Sequence, residues 1–300
     1  LQNETLYYPL LGSRRDLGFV RLSGLGLGNS FFTYFHTHIL SRKHGGRVIF
    51  PAWRSIKTGP ILRGDARNRF YSGLFQPTPD EVTGFAKYAA LARVGSKTNV
   101  IHVDRSTSAP IDGALNLVSC RRFVFDGLIE HRSEIRSRFL EILKEPVSEP
   151  PRWGQSDYIA CHVRMGDFAA PASLAELNSG APNKRIPLSW YAGVLRRLKN
   201  EYPNKPLLIV SDGHAKELRD LLTIGARLHP TRSDIGDLLA LSSASILVGS
   251  NSTFSQWAAF LGDMPSVWHV RSEGTESICS NQRRIAYIPV GSEDLSNPIF

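Results

Sequence analysis

Residues 156–171 read SDYIACHVRMGDFAAP, and their reading decides the fold. Tyr158-Ile159-Ala160-Cys161-His162-Val163 is apolar without alternation, the pattern of a strand buried on both faces of a parallel sheet. It runs into Arg164, Gly166 and Asp167 instead of an ordinary turn. In open α/β sheets ligands bind beyond the carboxyl ends of the strands, so this stretch predicts both a sheet and a site.

Towards the C-terminus the pattern repeats. A helix is predicted in PLSWYAGVLRRLKNEYP, a strand over Pro206–Val210, helices in HAKELRDLL and DIGDLLALSSA, a strand over Ser245–Val248, a helix in TFSQWAAFLG and a strand over Ser266–His269. Strands alternating with helices predict a parallel sheet covered on both sides, a Rossmann-like domain over residues 151–300. Immediately before it, EPVSEPPRWGQSD carries Pro146, Pro150 and Pro151 and reads as a linker.

Residues 1–150 are expected to form a second domain, since 300 residues exceed the usual size of one compact domain. In RLSGLGLGNSFFTYFHTHILSRKHGGRVIFPAW, Asn29 can cap a helix whose Phe31, Phe32, Phe35, Ile39 and Leu40 share a face. Gly45-Gly46 supply the stop and Arg47–Phe50 a short strand. Further helices are predicted in DEVTGFAKYAALARV and GLIEHRSEIRSRFLEILKE, the latter with Arg132, Arg136 and Arg138 on a solvated face.

Composition narrows the function. Apolar residues at 42% and charged residues at 21%, without repeats, exclude fibrous and disordered classes. The net charge of +9 admits nucleic acid, an anionic membrane surface or phosphate-bearing small molecules. Basic residues are scattered as pairs and no zinc-finger, RNP or basic-zipper pattern occurs, so no nucleic acid is expected. Cys120, Cys161 and Cys279 are too widely spaced for a disulfide framework or a zinc site, which favours a reducing compartment. No apolar run reaches the roughly 18 to 20 residues that cross a bilayer. The expectation is a cytoplasmic location, peripheral to an anionic membrane at most. The chain does not begin with Met, and the alternative is an N-terminal anchor, since removed, with a Golgi location.

The candidate site collects the residues that follow three successive strands: His162, Arg164 and Asp167; Asp212; and Ser252, Thr253 and Phe254. The last three open a helix, whose positive end favours an anion, and Arg164 adds a planar fork that matches phosphate oxygens. The glycine loop Gly24–Asn29 lacks both the GxGxxG spacing and the acidic residue that a dinucleotide site needs. It reads as a close approach of backbone to a ligand or as a tight turn. His36 and His38 point to different helix faces, and there is no DxD, so metal-dependent phosphate chemistry is disfavoured.

HVRMGDF resembles the H-x-R-R-G-D-Y motif of the alpha-1,2-fucosyltransferase family. GLGNSFFTYFHTHILSRKHGGRVIF is similar to that family's G-x-L-G-N-Q-x-F-Q-Y opening, LLIVSDGH to its strand-plus-SDD segment and LVGSNSTFSQWAAFLG to its N-S-S/T-F-S-W-W-A-A-W-L segment. The resemblance implies a GT-B-like α/β fold of two Rossmann-like domains with the cleft between them. It further implies an inverting, metal-independent transferase without cofactor, moving fucose from GDP-fucose to a hydroxyl of an acceptor glycan. On it, Arg164 binds the diphosphate, His162 lines the nucleotide pocket and Asp212 contacts the nucleoside. Ser252, Thr253 and Phe254 hold the phosphate end, and Gly28 and Asn29 close over the sugar from the first domain. Asp167 is the first candidate for the base, with the alternative that it only orients Arg164. Met165, Phe168 and Gly213 depart from the family pattern, standing where a second arginine, a tyrosine and a second aspartate are usual. Another GDP-sugar or linkage is the runner-up, and a non-catalytic nucleotide- or glycan-binding protein the rival from a different class.

Overall fold

The computed structural model describes residues 4–12, 16–22, 24–56, 70–92, 98–103, 109–147, 149–230, 233–279, 281–293 and 297–300. The chain divides into two units, one drawn from Leu1–Arg63 and Asn68–Ser148 and the other from Glu149–Phe300. No helix among the described residues is long and apolar enough to cross a membrane.

The first unit runs β1 (Leu6–Pro9), β2 (Arg21–Leu22), α1 (Leu27–His44), β3 (Arg47–Val48), β4 (Ser55–Ile56), α2 (Gly84–Leu91), β5 (Thr98–Val103), β6 (Leu115–Cys120) and α3 (Arg132–Glu141). Its sheet has the order β3-β1-β6-β5 with every pairing parallel, and β2 pairs with β4 beside it. The aromatic face predicted for α1 forms its core. Phe31, Phe32 and Phe35 are fully buried, and the Phe31 ring meets Trp53, Phe75 and Phe139 edge-on.

α1 ends at Gly45 and Gly46 as expected, both at positive φ. A Cβ on Gly46 would fall 2.3 Å from the Thr5 carbonyl oxygen, so backbone contact adds to the conformational demand. The helix starts earlier than predicted. Gly26, not Asn29, is its N-cap, because the Tyr71 hydroxyl accepts the Leu27 N–H at 3.2 Å and lets the first turn form around Asn29.

The solvated face expected on α3 is also corrected. Arg138 is buried, with Nε donating to the Tyr34 hydroxyl at 3.1 Å and Nη1 pairing with Asp80 at 2.8 Å. Tyr34 in turn donates to the buried Glu81 at 3.0 Å. A buried arginine needs such partners, since each unpaired charge in an interior costs several kcal/mol.

The second unit runs β7 (Ser156–Val163), α4 (Leu174–Asn178), α5 (Leu188–Glu201), β8 (Leu207–Ser211), α6 (Arg219–Leu222), β9 (Arg227–Leu228), α7 (Asp234–Ser243), β10 (Ala244–Val248), α8 (Thr253–Gly262), β11 (Ser266–Trp268), α9 (Glu273–Glu276) and β12 (Ile285–Tyr287). All six strands are parallel in the order β12-β11-β10-β7-β8-β9. Trp190, Leu195 and Leu198 of α5 pack with Ile159, Cys161, Ile209 and Val248, so the unbroken apolar run of β7 is buried among helices and neighbouring strands. Cys161 is a core residue, and burial pushes its thiol far above its usual range. The helix predicted over His214–Leu222 shrinks to its last turn. The residues before it form a turn, in which the Glu217 and Leu218 N–H groups both donate to the His214 carbonyl, at 2.9 and 3.3 Å.

Candidate functional site

Strand order in the second unit decides where a ligand can lie. After β7 the chain lays down β8 and β9 on one side, then crosses over to place β10 on the other. The order therefore reverses between β7 and β10, the point at which loops diverge and leave a crevice at the carboxyl edge. Val163 stands opposite Ser211 and Cys161 opposite Val248, so the loops after β7, β8 and β10 leave the sheet at that one edge.

Arg164 sits between two carboxylates. Its Nη1 lies 2.5 Å from Oδ2 of Asp212 and its Nη2 lies 2.5 Å from Oδ1 of Asp167. The guanidinium carbon stands 5.5 Å from the centroid of the Phe168 ring, a cation–π contact that restrains the plane of the fork. Asp212 also accepts the Met165 N–H at 2.8 Å. Burial opposes its ionisation, but the Arg164 charge and the N–H groups of Met165 and Gly166 overcome this and hold the carboxyl below the usual range.

Two departures from the family pattern prove to be neighbours. A Cβ on Gly213 would fall 2.8 Å from Cγ of Met165, so the methionine fills the room an aspartate at 213 would need.

A residue no motif pointed to braces the loop. Arg185 donates from Nε to the Phe168 carbonyl at 2.6 Å and from Nη2 to the Gly166 carbonyl at 3.3 Å. The backbone of Ala169 pairs with Asn183 and Arg185 alongside. Nothing in the spacing of Arg185 could have announced this, because the contact depends on how the chain returns after α4.

On the β10 side a second polar cluster forms. Gly249 lies against the Trp268 ring, which a Cβ would meet at 2.3 Å. Ser252 caps α8, its Oγ accepting the Ser255 N–H at 3.3 Å. Ser250 Oγ lies 3.0 Å from Ser252 Oγ and 2.9 Å from Ser255 Oγ. His162 is buried beneath them, with Nδ1 2.6 Å from Ser255 Oγ and 3.0 Å from Ser250 Oγ. Burial, assisted by the Arg164 charge, lowers its pKa to about 4, so the ring is neutral at physiological pH. His162 thus supports the serines from below, and its ring stands 5.3 Å from that of Phe254. Ser255 was missed in sequence because a serine in the first turn of a helix reads as ordinary.

Arg164, Asp167, Asp212, His162, Ser252, Thr253 and Phe254 therefore share one edge of one sheet. Gly28 and Asn29 belong to the first turn of α1 in the other unit. There Arg21, fully buried, donates from Nη1 to the carbonyls of Leu11 and, at 3.1 Å, of Leu25, and from Nη2 to Ser30 Oγ at 3.3 Å. Gly24 at φ +120° packs against Gly12, 2.7 Å from where its Cβ would be. A buried arginine, Arg21, thus holds the backbone of the glycine loop at Leu25, and the sequence offered no sign of it. Among the described residues no group of three or more His, Cys, Asp or Glu side chains is placed to hold a metal ion.

No protein-family model matches the chain, and no curated protein matches it by sequence. Solved structures do match. NodZ alpha-1,6-fucosyltransferase soaked with GDP-fucose aligns with 87% of this chain and 93% of its own, at 14% identity and a TM-score of 0.50. This chain shares that enzyme's fold. NodZ from Bradyrhizobium aligns at 13% identity over 87% of this chain and 94% of its own with a TM-score of 0.43. POFUT1 in complex with GDP aligns at 11% identity over 89% and 98% with a TM-score of 0.42. At these identities the likeness shows architecture alone, and it does not single out the alpha-1,2 subtype suggested by the motifs.

Proposed function

We propose that the protein is an inverting, metal-independent glycosyltransferase that moves fucose from GDP-fucose to a hydroxyl of an acceptor glycan. The observation that carries this reading is Arg164, a guanidinium fork at the switch point of a parallel sheet with the start of α8 beside it. The shared fold with NodZ, whose structure was soaked with GDP-fucose, supports it. The alpha-1,2 linkage suggested by HVRMGDF is the finer proposal, and the acceptor decides it.

Breaking the anomeric bond builds negative charge on the leaving diphosphate while the sugar carbon becomes cation-like. Fixed positive groups aimed at the diphosphate lower that barrier, and loss of one such donor costs roughly 3 to 4 kcal/mol. Arg164 and the backbone at Ser252, Thr253 and Phe254 supply them, with His162 holding the serines and Asp212 holding Arg164. Asp167 is the proposed base for the acceptor proton, and Gly28 and Asn29 serve the sugar end. Asp212, tied to Arg164 in the free protein, meets the nucleoside only through what that pairing leaves exposed.

Thermal melts test the donor. A ligand that binds only the native state raises apparent stability, so GDP should raise the melting temperature while UDP and ADP do so weakly or not at all. Equal shifts for all three would remove the guanine assignment. Transfer from GDP-fucose should survive EDTA, because no DxD motif is present. Loss of activity to chelator, restored by manganese, would overturn the metal-free mechanism. A nucleotide-binding protein without transfer is the rival reading, separated by assaying fucose release and transfer together with GDP binding.

A further inference from the structure

The hydroxyls at the start of α8 have more contacts than protons, and the protons can be placed by elimination. Ser255 Oγ accepts the Ser250 N–H at 3.1 Å, and Ser252 Oγ accepts the Ser255 N–H at 3.3 Å. Ser250 Oγ stands between the two hydroxyls, 2.9 Å from Ser255 Oγ and 3.0 Å from Ser252 Oγ. Ser252 Oγ and Ser255 Oγ are 3.3 Å apart, beyond the usual O–H···O range. His162 Nδ1 ends the row at 2.6 Å from Ser255 Oγ, close enough that a proton has to lie between them. Ser250 and Ser255 are buried, and Ser252 alone of the three is partly exposed.

The ring is neutral, burial and the Arg164 charge outweighing Asp212 and Asp237, so one of its nitrogens carries a proton and the other accepts one. With the proton on Nε2, Ser255 donates to Nδ1, and the other hydroxyls are free to point inward, Ser252 to Ser250 and Ser250 to Ser255. Ser252 then turns a lone pair outward, which repels an anion. With the proton on Nδ1, both lone pairs of Ser255 are filled, by Nδ1–H and by the Ser250 N–H. Ser255 has to donate to Ser250, and Ser250 to Ser252, whose own lone pairs are then filled by Ser250 and by the Ser255 N–H. The Ser252 proton has one direction left, outward. The ring's surroundings choose between the two forms. Among the described residues both hydrogen bonds of His162 fall on Nδ1 and none on Nε2. An orphaned N–H is rarer inside proteins than an unfilled acceptor, which favours the proton on Nδ1.

We propose that His162 is a positioning residue whose Nδ1 proton fixes the direction of the hydroxyl row Ser255, Ser250, Ser252, so that Ser252 presents a donor and not a lone pair to a phosphate of the nucleotide sugar. The inference rests on the donor site proposed above and deepens it, adding Ser250 and Ser255 as residues that act through Ser252.

Nitrogen NMR of the protein carrying isotopically labelled histidine, with His162 assigned through its backbone, reads the tautomer. At neutral pH and saturating GDP the His162 proton should sit on Nδ1, and a proton on Nε2 in that complex would overturn the inference. Calorimetric titration supplies a second arm. Ser250→Ala cuts the row while leaving the Ser252 cap of α8 in place. It should weaken GDP and inorganic pyrophosphate by the same factor as Ser252→Ala, about tenfold for one hydrogen bond to a charged group, and leave guanosine unchanged. The double variant should bind no more weakly than either single one, since both remove the same contact. A Ser250→Ala protein that binds GDP as tightly as the wild type would also overturn the inference. A wild type that binds no GDP would instead overturn the donor site itself, a separate failure.

Discussion

Arg164 was legible as a candidate site residue because an unbroken apolar run does not end in a charge without cause, and its pairing with Asp167 was open as an alternative, whereas its restraint by Asp212 and Phe168 was not legible. The side chains of Arg164 and Asp212, far apart in sequence, meet only when β7 and β8 pair. The same holds for Met165 and Gly213, separate oddities in sequence and one packed contact in space. Gly213→Asp alone should lose about 1 to 3 kcal/mol of stability by overpacking against Met165. Met165→Arg combined with Gly213→Asp should recover part of that loss, since neighbouring substitutions are not additive. Thermal melts of the two single variants and the pair measure this, and strict additivity would show that the positions do not communicate.

At the scale of elements, helices and strands of the second unit followed the sequence closely, because each carries an apolar face long enough to fix its register. The exceptions are instructive. α6 keeps only the turn that buries Leu221, and the residues from His214 onward form a turn before it. In the first unit, α1 formed as expected around its phenylalanines, but its cap moved because a hydroxyl from Tyr71, distant in sequence, took over the role assigned to Asn29. The loop after β7 depends in the same way on Arg185. Arg185→Met should lower transfer on the order of 10²-fold, as displacement of a positioned group by about 1 Å does, with Arg185→Lys recovering part of it. If Arg185 acts through Arg164, the Arg164→Lys, Arg185→Met pair should be no worse than Arg164→Lys alone. Independent, multiplying losses would show that Arg185 has only a general structural role.

Over the whole molecule, the parallel α/β second unit was readable from alternation of strands and helices and the first unit only through the family resemblance, while the +9 charge was readable as an anion preference without identifying the anion. What the sequence could not reveal was the cost of its buried histidines. His36 in the first unit and His162 in the second are both lowered to about 4 by burial, from an ordinary value of 6.5. Between pH 6.5 and 4 the unfolded chain takes up protons that the folded one refuses, so stability falls as pH falls through that window and levels below it. From pH 7 to 5 each of the two should cost its unit roughly 2 kcal/mol, measured by denaturant melts at both pH values. Because the buried His269 of the same unit is lowered to about 4 as well, His162→Gln together with His269→Gln should remove the pH dependence of the second unit's transition selectively. A dependence that survives in that variant would place its origin elsewhere.

The central claim is that Arg164 holds a diphosphate, and it is tested most directly by calorimetric titration of GDP into the wild-type protein and into Arg164→Lys. Lysine keeps the charge but loses the planar fork that matches two oxygens at once. The account predicts that the wild type binds GDP and that the lysine variant binds at least about tenfold more weakly at an unchanged melting temperature, the loss of one charge-assisted hydrogen bond being worth about 1.5 to 3 kcal/mol. Equal affinities in the two proteins would contradict it and leave Arg164 as a surface arginine between two aspartates.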